Sequence, residues 1–72
     1  MVQRTLERIE GTTYKATLEK KKSDRKRLAK MGAITDAHSI ELSIAGYIQA
    51  LRDVGVITER ERQELFIYYA TI

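Results

Sequence analysis

Large apolar residues recur at helical spacing along most of the chain, and the series fails in one place. Val2, Leu6 and Ile9 form a short amphipathic piece. Gly11-Thr12-Thr13 then breaks it, because Gly costs about 1 kcal/mol in a helix interior and two β-branched residues follow. The series does not continue in register through Tyr14 and Leu18. Residues 1–12 are therefore expected to be a short N-terminal helix or arm, with Thr12 or Thr13 capping what comes next. A longer helix is predicted over 13–31, with Tyr14 and Leu18 on one face and Leu28 and Met31 together near its end. Between Leu18 and Leu28 no large apolar residue appears: the stretch is Glu19-Lys20-Lys21-Lys22-Ser23-Asp24-Arg25-Lys26-Arg27. A helix polar all round bridges solvent, is covered by a partner, or frays.

The pattern is clearest over 36–54. Ile40, Ile44, Tyr47, Leu51 and Val54 alternate in steps of four and three, with Ile48 widening the stripe, as in a core-facing or coiled-coil seam. Ser43, Gly46 and Ala50 form a ridge of small residues beside it. A Gly within a helix is unfavourable unless its missing side chain is used, so Gly46 is expected to mark close approach by another helix. A last helix is predicted over 59–71. It opens on Thr58-Glu59-Arg60-Glu61, a capping-box pattern, and becomes apolar from Leu65 to Ile72.

A repeat joins these elements. Leu-x3-Gly-[Ala/Val]-Ile-Thr-x5-Glu-Leu occurs at Leu28 and again at Leu51, an offset of 23 residues. Gly32 and Gly55 are placed to end helices in a left-handed turn, and Thr35 and Thr58 to cap the helices that follow. Two similar tight corners are predicted, each inserting an Ile. The expected fold is all-α: a small three-helix domain, with an αα-hairpin from the second and third long helices and a basic N-terminal helix packed across it.

Composition adds two constraints. A chain of 72 residues buries only about 60% of its unfolded surface. It has no Cys to supply disulfides or thiolate metal ligands. Self-association, most simply a homodimer burying Phe66, Tyr69 and Ile72, is the expected route to a larger core. No apolar run approaches the ~20 residues that span a bilayer, and the first residues do not lead into a signal-peptide core. No membrane partner and a cytoplasmic location are expected. The net charge of +3 hides a division, since residues 13–31 carry +6 and residues 32–72 carry −3. All six Lys lie between Lys15 and Lys30, which makes a patch rather than a generally basic surface.

The chemistry this allows is binding. His38 is the only His and has no Cys or second His beside it, so a capping or surface role is expected rather than catalysis or metal ligation. Glu59, Glu61 and Glu64 alternate with Arg60 and Arg62 as surface pairs do, and no Gly-rich phosphate loop exists. No enzyme activity, metal or cofactor is expected. Lys20, Lys21, Lys22, Arg25, Lys26 and Arg27 are the candidate nucleic-acid contacts, because closely spaced cations neutralise phosphates and release counterions. Lys contacts phosphates generically, so no base readout follows; the competing expectation is a solvated face. A helix-turn-helix at either corner would aim carboxylates at phosphates, Asp36 and Glu41 in one case and Glu59, Glu61 and Glu64 in the other. The alternative reading is a protein-interaction module or inhibitor, docking through Phe66, Tyr68, Tyr69 and Ile72 and the Ser43/Gly46/Ala50 ridge. A small regulatory or accessory factor of a phage or mobile element would suit either reading.

Overall fold

The computed structural model describes residues 2–70, with side chains from Gln3 to Tyr69. They form four helices: α1 (Val2–Arg8), α2 (Thr13–Lys30), α3 (Ile34–Asp53) and α4 (Glu59–Ala70). The all-α expectation holds, and α3 with α4 makes the hairpin against which α2 packs. Residues 2–8 are a separate short helix lying on α4, not a continuation of the basic helix.

One core serves all four helices. Leu6 and Ile9, Leu18 of α2, Ile44, Ile48 and Leu51 of α3, Ile57 in the α3–α4 link, and Leu65 and Tyr69 of α4 form a single buried cluster. Each fully buried Leu or Ile removes enough apolar area from water to contribute about 1.5–3 kcal/mol. Around this cluster the register of α3 differs from the predicted seam. Ala37, Ile44, Ile48 and Leu51 are its centre, Ile40 and Tyr47 flank it half-buried, and Val54 is 74% exposed. Val54 is the C-cap of α3, so the chain turns away from the core there. Gly46 also departs from expectation. A Cβ added at Gly46 would meet nothing within 4 Å, so none of the described helices packs closely on it.

Tyr69 is the largest fully buried side chain. Its hydroxyl donates to Glu19 Oε2 at 2.6 Å, and burial together with that bond pushes the phenol pKa up. Its ring lies edge-on to Tyr68. Tyr69 therefore completes the core of its own chain and does not offer surface to a partner.

Three corners share one stop signal. Gly11, Gly32 and Gly55 have φ of 79°, 81° and 82°, a left-handed conformation that costs Gly nothing and other residues strain. At the latter two, the C-terminal hydrogen bonds match: Gly32 N–H to Ala29 O with Ala33 N–H to Leu28 O, and Gly55 N–H to Arg52 O with Val56 N–H to Leu51 O. This is the Schellman pattern, and it satisfies the last carbonyls of each helix. At the first corner Thr12 caps α2, its Oγ1 accepting from Lys15 N–H.

The start signals of the repeat do not match. Thr58 Oγ1 accepts from Glu61 N–H at 3.1 Å while Glu61 Oε1 accepts from Thr58 N–H at 2.9 Å, a closed capping box. Ile57 stays outside α4 and is 4% exposed. At the other copy the residue three beyond Thr35 is His38, and no box forms. Helix α3 starts two residues sooner, with Ala33 as an N-cap lacking any side-chain bond. Thr35 is drawn inside the helix and Ile34 stands 67% exposed. The expectation of two equivalent corners, each inserting its Ile, is corrected accordingly.

The two corners should respond differently to substitution. Thr58→Ala is expected to cost about 1 kcal/mol as a lost N-cap, and Ile57→Ala about 2–5 kcal/mol as a core cavity. Thr35→Ala and Ile34→Ala should each stay within about 0.5 kcal/mol of the parent. Urea unfolding monitored by circular dichroism measures all four, and equal costs at the two corners would contradict this account.

Candidate nucleic-acid interface

Helix α2 carries the basic segment, and its packing divides that segment into two sets. Leu18 is fully buried and fixes which side of α2 faces the bundle. Three cations fall on that side. Lys21 Nζ donates to Ser43 Oγ at 2.7 Å and lies 5.9 Å from the Tyr47 ring centre. Lys22 Nζ lies 4.7 Å from the Tyr68 ring centre and 5.9 Å from that of Tyr69. Arg25 is buried at 7% exposure, with Nη1 2.6 Å from Glu41 Oε1. Long basic side chains can cover apolar surface with their stems while their charged ends find partners. Here they replace the apolar residues that the sequence lacks.

Lys20, Lys26, Arg27 and Lys30 make the other set, all exposed on the solvent side of α2. Arg27 has a long contact of 3.6 Å to Asp24. Lys20, Lys26 and Lys30 have no carboxylate within ion-pair distance among the described residues. Lys20 and Arg27 are seven residues apart, and hence in line two turns along the helix. Of the six residues singled out from the sequence, Lys20, Lys26 and Arg27 belong to this outer set. Lys21 and Lys22 are engaged within the fold, and Arg25 is corrected to a buried structural residue. Lys30 joins the outer set. The signal for it was the spacing 20, 23, 27, 30 on the side opposite Leu18.

The carboxylates are largely committed elsewhere. Glu61 binds Arg8 through both oxygens, at 2.5 and 2.8 Å. Glu59 pairs with Arg62 at 2.7 Å and Arg52 at 3.3 Å, and Thr5 Oγ1 donates to Glu64 Oε1. Glu41 bridges Arg25 and His38, whose Nδ1 is 3.1 Å from Glu41 Oε2. That places His38 in a surface pair. Among the described residues no cluster of three or more His, Asp or Glu side chains could hold a metal ion, and no helix is long and apolar enough to cross a membrane. An open depression of about 960 Å³ runs beside Lys26, Arg27, Lys30 and Met31. It is lined by one helix end and is a surface rather than an enclosed ligand cavity.

The residues proposed for a protein interface separate as well. Phe66 is 38% exposed, Tyr68 is half-buried beneath Lys22, Tyr69 is in the core, and Ile72 lies outside the described residues. Ile67, at 62%, is the more exposed apolar residue on α4. Compared with known protein families, curated proteins and solved structures, the chain matches none.

The ion pairs set an acid limit on the fold. His38 and then Arg25 hold the Glu41 carboxylate below its ordinary value. Arg8 does the same for Glu61, and Arg62 brings Glu59 down to about 2. Groups with a depressed folded pKa stabilise fully above their unfolded value and lose that contribution as pH falls through the folded one. The thermal midpoint should therefore be level between about pH 5.5 and pH 9. It should fall as pH drops from 4.5 toward 2, Glu59 titrating last. Melting curves across this range test it; a midpoint that rises on acidification would overturn it.

Proposed function

We propose that the chain is a small non-catalytic regulatory or accessory protein that binds nucleic acid through the outer face of α2. The observation that carries this reading is the row Lys20, Lys26, Arg27 and Lys30, exposed along one helix and almost free of carboxylate partners. Such a row meets phosphates by Coulomb attraction and by counterion release, and it carries no base readout of its own. The inner cations are held in the fold and contribute only to the field around the helix. Neutralisation of Glu59 and Glu61 by Arg52, Arg62 and Arg8 reduces the repulsion that an approaching phosphate backbone would meet.

A second reading rests on Phe66 and Ile67, exposed on α4. They suit a second copy of the chain or a different protein, because apolar surface removed from water drives association. Light scattering during size exclusion separates these cases: a dimer lost in an Ile67→Lys variant supports self-association, and a clean monomer at micromolar concentration rejects it.

Fluorescence anisotropy with a labelled duplex across a salt series tests the principal reading. Four phosphate contacts predict a slope of log K against log salt of about −3.6. Replacing Lys20, Lys26, Arg27 or Lys30 by Ala should reduce that slope by about one each. Lys22→Met and Arg25→Met should leave it unchanged. A salt-insensitive titration, or an equal loss in Arg25→Met, would remove this reading.

A further inference from the structure

The outer row of α2 ends on an apolar tip. Met31, the C-cap of α2, is 69% exposed, and Ile34, the first residue of α3, is 67% exposed. Lys30, Arg27 and Lys26 lie immediately before them, and Met31 shares with them the open depression at this helix end. The exposure of Ile34 follows from the early start of α3 and is not shared by the other corner. The matching Ile57 of the second corner is buried, although both corners stop their helices with the same Gly-centred hydrogen bonds. Val54, which corresponds to Met31, is also exposed, but Arg52 and Asp53 flank it rather than a row of cations. Among the described residues, the first corner alone combines two exposed apolar side chains with a row of exposed cations.

Two anionic partners have apolar interiors behind a charged rim: a bilayer and a stacked duplex. The proposed nucleic-acid reading selects the duplex, and the bilayer is kept as an outcome of the test below. Lys20 stands ten residues before Lys30, roughly 15 Å back along the helix axis. On a duplex, the same length matches the axial rise of about four base pairs, so the whole row can follow a strand while the tip enters a groove. The minor groove, about 6 Å wide in B-form DNA, admits side chains but not a helix. In A-form RNA it is wide and shallow, and gives such a tip no slot. Proteins that insert Met or Ile between base steps kink the duplex away from the minor groove.

We infer that the Met31/Ile34 corner is a wedge for the minor groove of duplex DNA, which it bends, while Lys20, Lys26, Arg27 and Lys30 hold the adjoining phosphates. This rests on the proposed nucleic-acid reading and adds the duplex, the groove and the deformation to it. The test uses a duplex of about 30 base pairs carrying a fluorescent donor and acceptor at its ends. Saturation with the parent protein should raise energy transfer. Met31→Ala/Ile34→Ala, shown by circular dichroism to be folded, should keep the salt slope and lose about tenfold in affinity. It should leave the transfer of free DNA unchanged. Val54→Ala should behave as the parent. Saturable, salt-sensitive binding without a rise in transfer, or bending retained by the double variant, overturns the wedge and leaves the phosphate-binding face intact. Absence of any duplex binding at low salt overturns both. Sedimentation with phosphatidylserine vesicles that is lost in the double variant, without duplex binding, assigns the corner to a lipid surface and also overturns the wedge.

Discussion

Helix α2 must dock on the bundle without an apolar side chain between Leu18 and Leu28, and the rest of the molecule follows from how it does so. Leu18 anchors one end in the core. Between the anchors the contact is carried by Arg25 against Glu41, by Lys21 against Ser43 and Tyr47, and by Lys22 above Tyr68. A buried ion pair is an expensive way to join helices, because each charge loses its hydration and the mutual attraction only repays that loss. It does fix register, since a misplaced Arg25 would leave an unpaired charge in the interface. The aromatic stems of Tyr47 and Tyr68 add cation–π attraction of about 0.5–1 kcal/mol at half-exposed positions. The hairpin thus recognises α2 by charge and aromatic faces where an ordinary bundle would use leucines.

That solution divides the positive charge between structure and surface. Part of the outer row also has a structural use: Arg27 and Lys30 lie in the last turn of α2 and complement the negative end of its dipole, worth about 0.3–1 kcal/mol each. The dipole does not account for Lys20, nearly three turns from that end, nor for the lack of a carboxylate partner at Lys20, Lys26 or Lys30 among the described residues. A solvated helix selected for stability alone would normally interleave acids at i,i+4 along such a face. The outer side of α2 has one such acid, Asp24, four residues after Lys20 and 3.6 Å from Arg27.

Local features are legible in the sequence, the Thr35 corner excepted, and features that depend on packing are not. The four helices, the Gly stops, the Thr12 cap and the Thr58–Glu61 box depend on residues within one turn of each other, so spacing alone reveals them. The misplaced residues depend on what packs against what. Val54 keeps perfect seam spacing yet lies beyond the point where α3 ends. Gly46 looks like a close-approach site, but the contacting face of α3 is rotated away toward Ala37, Ile44 and Ile48. Tyr69 reads as surplus aromatic surface because its partner, Glu19, is fifty residues away. In the basic segment the phase of Leu18 was available, and it separates Lys20, Ser23, Arg27 and Lys30 from Lys21, Lys22 and Arg25. That the bundle reaches along α2 as far as Arg25 depends on Glu41 of the facing helix, sixteen residues away.

The difference between the twin corners has a traceable origin in one position. Glu61 closes the box on Thr58, and it is held there from outside by Arg8 of α1, whose Nη2 also donates to Val56 O at 3.0 Å. The short first helix therefore clamps the α3–α4 link, keeping Thr58 outside the helix and Ile57 turned inward. The α2–α3 corner has His38 at the corresponding position and, among the described residues, no further element that clamps it. With nothing holding Thr35 back, adding it to the helix gains hydrogen bonds at no cost, and the helical path carries Ile34 outward. An Ile in the N1 position of an unclamped helix, next to a row of free cations, is thus not a packing failure of the repeat. It is the state the sequence encodes with His where the box needs Glu, and it leaves Ile57 in the core and Ile34 at the surface.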